Sequence, residues 1–362
     1  MAQARVPERP AGATAATAHG PRDVRLLFAA RAVRLFAYGL LSVVLVLLLA
    51  ELGLSQARVG ALLTLTLLGD TAISLLVTSR ADRAGRRRML ILGAALMVLA
   101  GAVFAVARSF WVLLLAATVG VLSPSGNEVG PFLAVEQAAL AQQSAPERRT
   151  RLFSWYQLAG AAATALGALC GGALSEGLQR AGMTPLHSYR AVVAFYALLG
   201  AALLGIFAGL GPASEAAAAG PAGPAPPWAA LGLSRSRRVV LRLSGLFAVD
   251  AFAGGFVVQS LVAWWFHRRF GTGEALLGAI FFGANLMAAV SALSAASIAR
   301  RIGLVNTMVL THLPSNVLLI LVPLMPTLPL AVAVLLARFC ISQMDVPTRQ
   351  SYTMAVVDPA ER

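Results

Sequence analysis

The 362-residue chain is 58% hydrophobic and only 12% charged, with a mean hydropathy of +0.77, more apolar surface than a soluble domain can keep covered with polar groups. A formal charge of +14 would suit nucleic acid, but the arginines fall in short clusters between apolar runs, with no interleaved aromatic or polar surface to read bases, which argues against that partner. The solvent this composition calls for is the lipid bilayer.

Residues 1–25, rich in Ala, Pro and Arg and lacking an apolar signal-peptide core, predict a disordered cytoplasmic tail. Apolar runs then recur at about the 20 residues a helix needs to cross roughly 30 Å of hydrocarbon. They cover 26–50, 57–79, 89–107, 110–140, 152–175, 190–210, 239–266, 275–298, 304–322 and 327–346, predicting about ten transmembrane helices. The Pro-, Gly- and Ala-rich stretch at 213–238 reads as a cytoplasmic linker between an N-terminal six-helix half, 26–212, and a C-terminal half, 239–362, with four helices. Within the fourth span, Pro124, Gly126, Gly130 and Pro131 should interrupt the helix and free backbone groups to line a cavity. Cys170 and Cys340 both lie inside apolar spans, which disfavours a disulfide framework or a thiolate metal site. With the amino terminus inside, arginines on the cytoplasmic side outnumber those outside by about three to one, as the positive-inside rule requires.

The second half repeats the first at an offset of about 213 to 218. "LRLSGLFAVDAFAGGF" falls on "VRLLFAARAVRLFAYGLL", placing Asp250 on Arg34. "GTGEALLGAIF" falls on "GLSQARVGALL" and "ARRIGL" on "DRAGRR". "RQSYTMAVVDPAER" falls on "EQAALAQQSAPER", placing Arg349 on Glu136. A duplicated helical unit with a dividing linker is an architecture of secondary transporters that hold substrate between two rocking halves.

The stretch "ADRAGRRR" between spans two and three makes the resemblance specific. Together with the duplicated spans and central linker, it resembles the G-x-x-x-D-R-x-G-R-R signature of the major facilitator superfamily, supplied here by Asp82, Arg83, Gly85, Arg86 and Arg87, with Thr78 in place of the leading glycine. The resemblance implies an all-α integral membrane protein, a two-half helical bundle with a pseudo-twofold repeat. It also implies that the loop cluster latches the halves together on the cytoplasmic side; the bland alternative is a solvated basic loop. "GALCGG", residues 167–172, resembles the family's antiporter element but has Ala168 where proline belongs, and small residues so spaced also allow close helix packing. By the repeat, the second half would continue roughly 60 residues beyond Arg362 to supply spans eleven and twelve. The sequence is therefore expected to be a fragment or truncated product, with an altered ten-span protein as the alternative.

Ionisable groups inside a span are costly and usually face a cavity or a partner. Arg34, Asp70, Glu128, Glu136, Asp250 and Arg349 are the prominent ones, with Arg31, Arg338 and Asp345 second. Asp70 and Glu128, mid-span among apolar neighbours, are the proton-coupling candidates, because an apolar setting disfavours the charged form of a carboxyl group. Since the repeat superposes Arg34 on Asp250 and Glu136 on Arg349 with opposite signs, interdomain ion pairs Arg34–Asp250 and Glu136–Arg349 are expected to form in one state; pairing within each half is the alternative. Gln259, Asn285, His312 and Asn316 read as helix-bridging polar groups.

No metal-ligand spacing, phosphate loop, nucleophile elbow or catalytic triad is present. The expectation is a monomeric permease of the plasma or inner membrane, not an enzyme and without a cofactor. It would move a small solute by alternating access with protons as the coupling ion, with direction open. The alternative is a transport-inactive remnant or membrane scaffold.

Overall fold

The computed structural model describes residues 20–128, 130–144, 146–215 and 237–356. Asp82 lies in a helix, but its side chain is outside the described residues, as are most of the expected tail and linker. All regular structure among the described residues is helical. α1 (Gly20–Glu51), α2 (Gln56–Ala84) and α3 (Arg86–Val106) are the first three spans. The fourth is divided into α4 (Phe110–Val119) and α5 (Phe132–Gln142), and α6 (Pro146–Arg180) and α7 (Pro185–Ala208) complete the first half. In the second half, α8 (Arg237–Gly255) and α9 (Gln259–Phe270) share one span, α10 (Glu274–Ile302) and α11 (Leu304–Leu321) are continuous, and α12 (Leu328–Ser342) and α13 (Asp345–Val356) share another.

Nine stretches among the described residues are long and apolar enough to cross a bilayer; the expected span 110–140 is instead the short α4 plus α5. The break between them follows from the residues foreseen to make it: Gly126 and Gly130 adopt φ of +71° and +82°, a region that disfavours side chains, and Pro124 and Pro131 lack the amide a helix needs. The helix α1 starts at Gly20, so the last part of the expected tail is helical.

The helix α1 is the axis of the first half, with most of its apolar length buried against α6 and α7. Small residues set that distance: a Cβ on Gly39 would lie 2.1 Å from the Thr164 carbonyl oxygen, and one on Gly167 would lie 2.0 Å from that of Phe36. The helix α6 then meets α10 of the second half in the same way, with Gly172 against the Glu274 carbonyl and Gly278 against that of Ala168. "GALCGG" is thus a packing surface that joins α6 to α1 on one side and to α10 on the other.

The chain passes put connections 84–86, 142–146 and 302–304, which contain or adjoin Arg83, Arg86, Arg148, Arg149, Arg300 and Arg301, at one end of the bundle, here the basic end. Connections 51–56, 106–110, 180–185 and 270–274 lie at the opposite end.

Candidate functional site

About halfway along α1, Arg31 and Arg34 lie three residues apart, hence on one face, and that face meets the broken fourth span. Arg34 is fully buried and bidentate with Glu136 of α5, at 2.6 and 2.7 Å, while its Nε donates to Glu128 at 2.8 Å. Arg31 donates to Glu128 at 2.7 Å, to the Tyr156 carbonyl at 2.8 Å and to Gln157 of α6. The Tyr156 hydroxyl donates to Glu136, and the two guanidinium groups lie over aromatic rings, Arg31 over Tyr156 and Arg34 over Phe132. Two arginines and two glutamates thus compensate each other in the middle of the half, the condition under which buried charge is tolerated.

Glu128 therefore does not sit among apolar neighbours as its sequence context suggested: α1 presents two cations to it. Asp70 of α2 faces the same non-helical segment, near the Gly130 backbone. Its Oδ1 is buried without a hydrogen-bond partner among the described residues. The two proton-coupling candidates flank one unwound stretch and differ in their compensation.

The second half holds a corresponding cluster. Asp250 of α8 contacts His312 of α11 at 3.1 Å and Arg349 of α13 at 3.0 Å; Asp345 contacts His312 at 3.3 Å and Arg349 at 2.6 Å. Arg349 lies over the Phe247 ring. The repeat maps these groups onto the first cluster. Asp250 and Phe247 are 216 residues beyond Arg34 and Arg31, and Arg349 and Asp345 are 213 beyond Glu136 and Phe132. The Arg34–Glu136 pair and the Asp250–Arg349 pair occupy repeat-related positions with their signs exchanged.

The expected pairs across the halves, Arg34–Asp250 and Glu136–Arg349, are not made among the described residues in this conformation: each charge finds its partner inside its own half. The reason is geometric. The repeat relates positions by rotation about the central axis, and the first and fourth spans of each half are already neighbours.

Among the described residues, every hydrogen bond joining the halves lies on the side of the clusters away from the basic end. Gln259 donates to Ser42 at 2.7 Å and receives Asn285 at 3.4 Å, so both bridge helices as expected. Ser260 donates through its hydroxyl and amide to the Pro124 carbonyl, joining the two broken spans. Further out, Glu176 of α6 accepts from the Ala275 amide at 2.8 Å, capping α10 from the other half. Glu274 accepts from Tyr189 at 2.5 Å and Gln179 at 3.2 Å. Outside this seal a pocket of about 360 Å³ is lined by Glu51, Tyr189, Trp264, His267 and Arg268, among others.

At the basic end the loop cluster faces its own half. Gly85, with φ +100°, turns the chain between α2 and α3. Glu215 accepts from the Arg86 amide at 2.7 Å and the Arg87 amide at 3.3 Å, Arg86 reaches Gln142 at 2.9 Å and Arg87 the Ala208 carbonyl at 2.5 Å. Arg83 is exposed. Glu215, Tyr156, Gln157, Glu176 and Glu274 carried no signal in the sequence that set them apart; Arg31 did, as an ionisable residue within an apolar span.

A two-half helical bundle with nine apolar stretches long enough to cross a bilayer among the described residues, and compensated charge at mid-depth in each half, has the architecture of membrane transporters. Residues 27–362 match the Major Facilitator Superfamily, and the chain belongs to that family. It is 32% identical to the uncharacterized membrane protein YJR124C of Saccharomyces cerevisiae, covering 94% of this chain and 82% of that one. Among solved structures it resembles a bacterial homologue of the human lysosomal transporter Spinster, with a TM-score of 0.71, 16% identity and coverage of 95% of this chain and 77% of that chain. A bacterial homologue of the iron transporter ferroportin gives a TM-score of 0.62 at 16% identity, covering 94% and 85%. The D-xylose–proton symporter gives 0.58 at 14% identity, covering 91% and 82%.

Proposed function

We propose that this chain is a proton-coupled secondary transporter of the plasma or inner membrane, moving a small solute by alternating access with its amino terminus in the cytoplasm. The observation that carries the reading is the pair of sign-exchanged charge clusters at mid-depth, one in each half, at repeat-related positions. Buried ionisable groups at that depth are retained where ions or protons pass. In this orientation the basic end is cytoplasmic, and the structure corresponds to the state closed to the outside, held by the Ser42–Gln259, Pro124–Ser260 and Glu176–Ala275 contacts.

Residues 26–212 and 239–362 are the two rocking units and 213–238 their tether. Asp70, with its unpartnered oxygen, is the first proton acceptor of the first half, and Glu128 hands the change to Arg31 and Arg34. Asp82, Arg83, Gly85, Arg86 and Arg87 act as the cytoplasmic latch of the opposite state, for which Arg86 and Arg87 must leave Gln142 and Ala208. Sparse aromatic and polar lining favours an amphipathic or hydrophobic solute over a sugar.

The test is proton movement in proteoliposomes holding the 362-residue chain, under an imposed pH gradient and a panel of amphipathic solutes. Solute-dependent proton flux that is lost in Asp70→Asn is expected. Flux that survives both Asp70→Asn and Glu128→Gln refutes the assignment of those two carboxyl groups.

A further inference from the structure

The helix α8 stands apart from the rest of the second half. Its residues are mostly exposed, it packs chiefly along α13, and among the described residues its polar contacts to other helices run through one side chain, Asp250. Asp250 reaches α13 through Arg349 and α11 through His312, whose other ring nitrogen faces Asp345 of α13. His312 and Asp250 therefore each link the three helices, and both nitrogens of His312 point at carboxylate oxygens.

That arrangement is sensitive to one proton. A neutral imidazole has one N–H and one lone pair, and an ionised carboxylate can only accept. With the imidazole neutral, one of the two contacts, at 3.1 or 3.3 Å, sets a lone pair against an anionic oxygen; with both nitrogens protonated, both contacts are attractive. The other charged groups around His312 are Asp250 on α8, Asp345 and Arg349 on α13, and Arg338 on α12, which couples electrostatically to Asp345. The helix α10 brings no charged residue between Glu274 and Arg300, and on α8 the next charge is Arg242, two turns toward the basic end. The His312 and Asp250 side chains are both more than a third exposed.

We propose that His312 is a proton-binding site whose occupancy docks α8 against α11 and α13. One proton passes from a solvent hydronium ion to the unprotonated ring nitrogen: the N–H bond forms, the hydronium O–H bond breaks and a water molecule is left. Protonated, the imidazole bridges Asp250 and Asp345 and α8 is held. Deprotonated, the imidazole keeps one N–H and can hold only one of the two carboxylates; in the tautomer that donates to Asp345, Asp250 is left with Arg349 alone and α8, the first part of the seventh span, is released. The consequence for transport rests on the reading above: it would place a second coupling site in the C-terminal half, opposite Asp70.

The chain carries four histidines, so each imidazole can be followed by NMR of ring-labelled full-length protein in lipid nanodiscs between pH 5 and 9. Amide hydrogen exchange across 237–255 is measured over the same range. The signal that disappears in His312→Gln should titrate in the wild type, and α8 exchange should rise by about tenfold as that proton is lost. Asp250→Asn keeps the histidine observable and should leave α8 exchanging fast at every pH. A His312 signal that holds one form throughout overturns the proposal, as does α8 exchange that is flat with pH or keeps its pH response in His312→Gln. If His312 titrates and α8 follows while the wild-type chain moves no protons with any solute, the switch stands and the transport reading falls. If solute-driven flux is present and His312→Gln changes neither flux nor exchange, the reverse holds.

Discussion

Replacing Arg34 with methionine isolates the energetics of the first-half cluster. The substitution keeps an unbranched side chain of similar length and removes the guanidinium, so the packing around α1 is little changed. Glu128 retains Arg31 at 2.7 Å. Glu136 does not fare so well: it is fully buried and is left with the Tyr156 hydroxyl as its donor. Removing one member of a buried ion pair costs about 3–5 kcal/mol, because the remaining charge is uncompensated. Adding Glu136→Gln removes that charge, and the amide can still accept from Tyr156, so the double variant should recover about 2–3 kcal/mol of the loss. The corresponding change in the second half, Asp250→Asn, should cost under about 1 kcal/mol, since that carboxylate is 36% exposed. Reversible unfolding in mixed micelles of rising SDS content measures these three variants and the Glu136→Gln single variant that completes the cycle. A loss under about 1 kcal/mol for Arg34→Met, or strict additivity in the double variant, would refute the claim that these charges are held by mutual compensation.

At the seam between the halves, Gly172→Ala forces a Cβ to within 2.1 Å of the Glu274 carbonyl, so α6 and α10 must part. A cysteine placed at the buried Leu277 should then react with a membrane-impermeant maleimide roughly tenfold faster than in the parent. Gly85→Ala puts a side chain at φ +100° and should destabilise the α2–α3 turn by about 1–3 kcal/mol, read as a lower unfolding midpoint. Glu215→Ala strips the acceptor from the Arg86 and Arg87 amides and should cost about 1 kcal/mol, with faster exchange at the start of α3.

The spans were legible because apolar length is what the bilayer demands, and the break at 120–131 was legible because Pro and Gly have few ways to remain helical. The identity of the charged positions could also be read, since a mid-span arginine or carboxylate stands out against Leu and Val. Their pairing could not. Arg34 meets Glu136 across 102 residues, and that contact depends on how α1 and α5 rotate against each other, which periodicity does not encode. The repeat supplied the equivalence of Arg34 with Asp250, but equivalent positions are superposed by the symmetry rather than brought into contact. The sign exchange therefore marks two separate pairs. Tyr156 and Glu215 were invisible for a simpler reason: a tyrosine inside a helix and a glutamate at the start of a linker have many ordinary uses.

The central claim is that the halves exchange a seal at one end for a seal at the other. Spin labels in a cysteine-free background, paired at the exposed Arg88 and Arg300 near the basic end and at Arg180 and Arg269 near the opposite end, report both separations by double electron–electron resonance. The account predicts two populations, with a short distance at one end accompanying a long distance at the other, and a ratio that moves with pH. One distance at each end, unchanged across pH and across the solute panel, would contradict it.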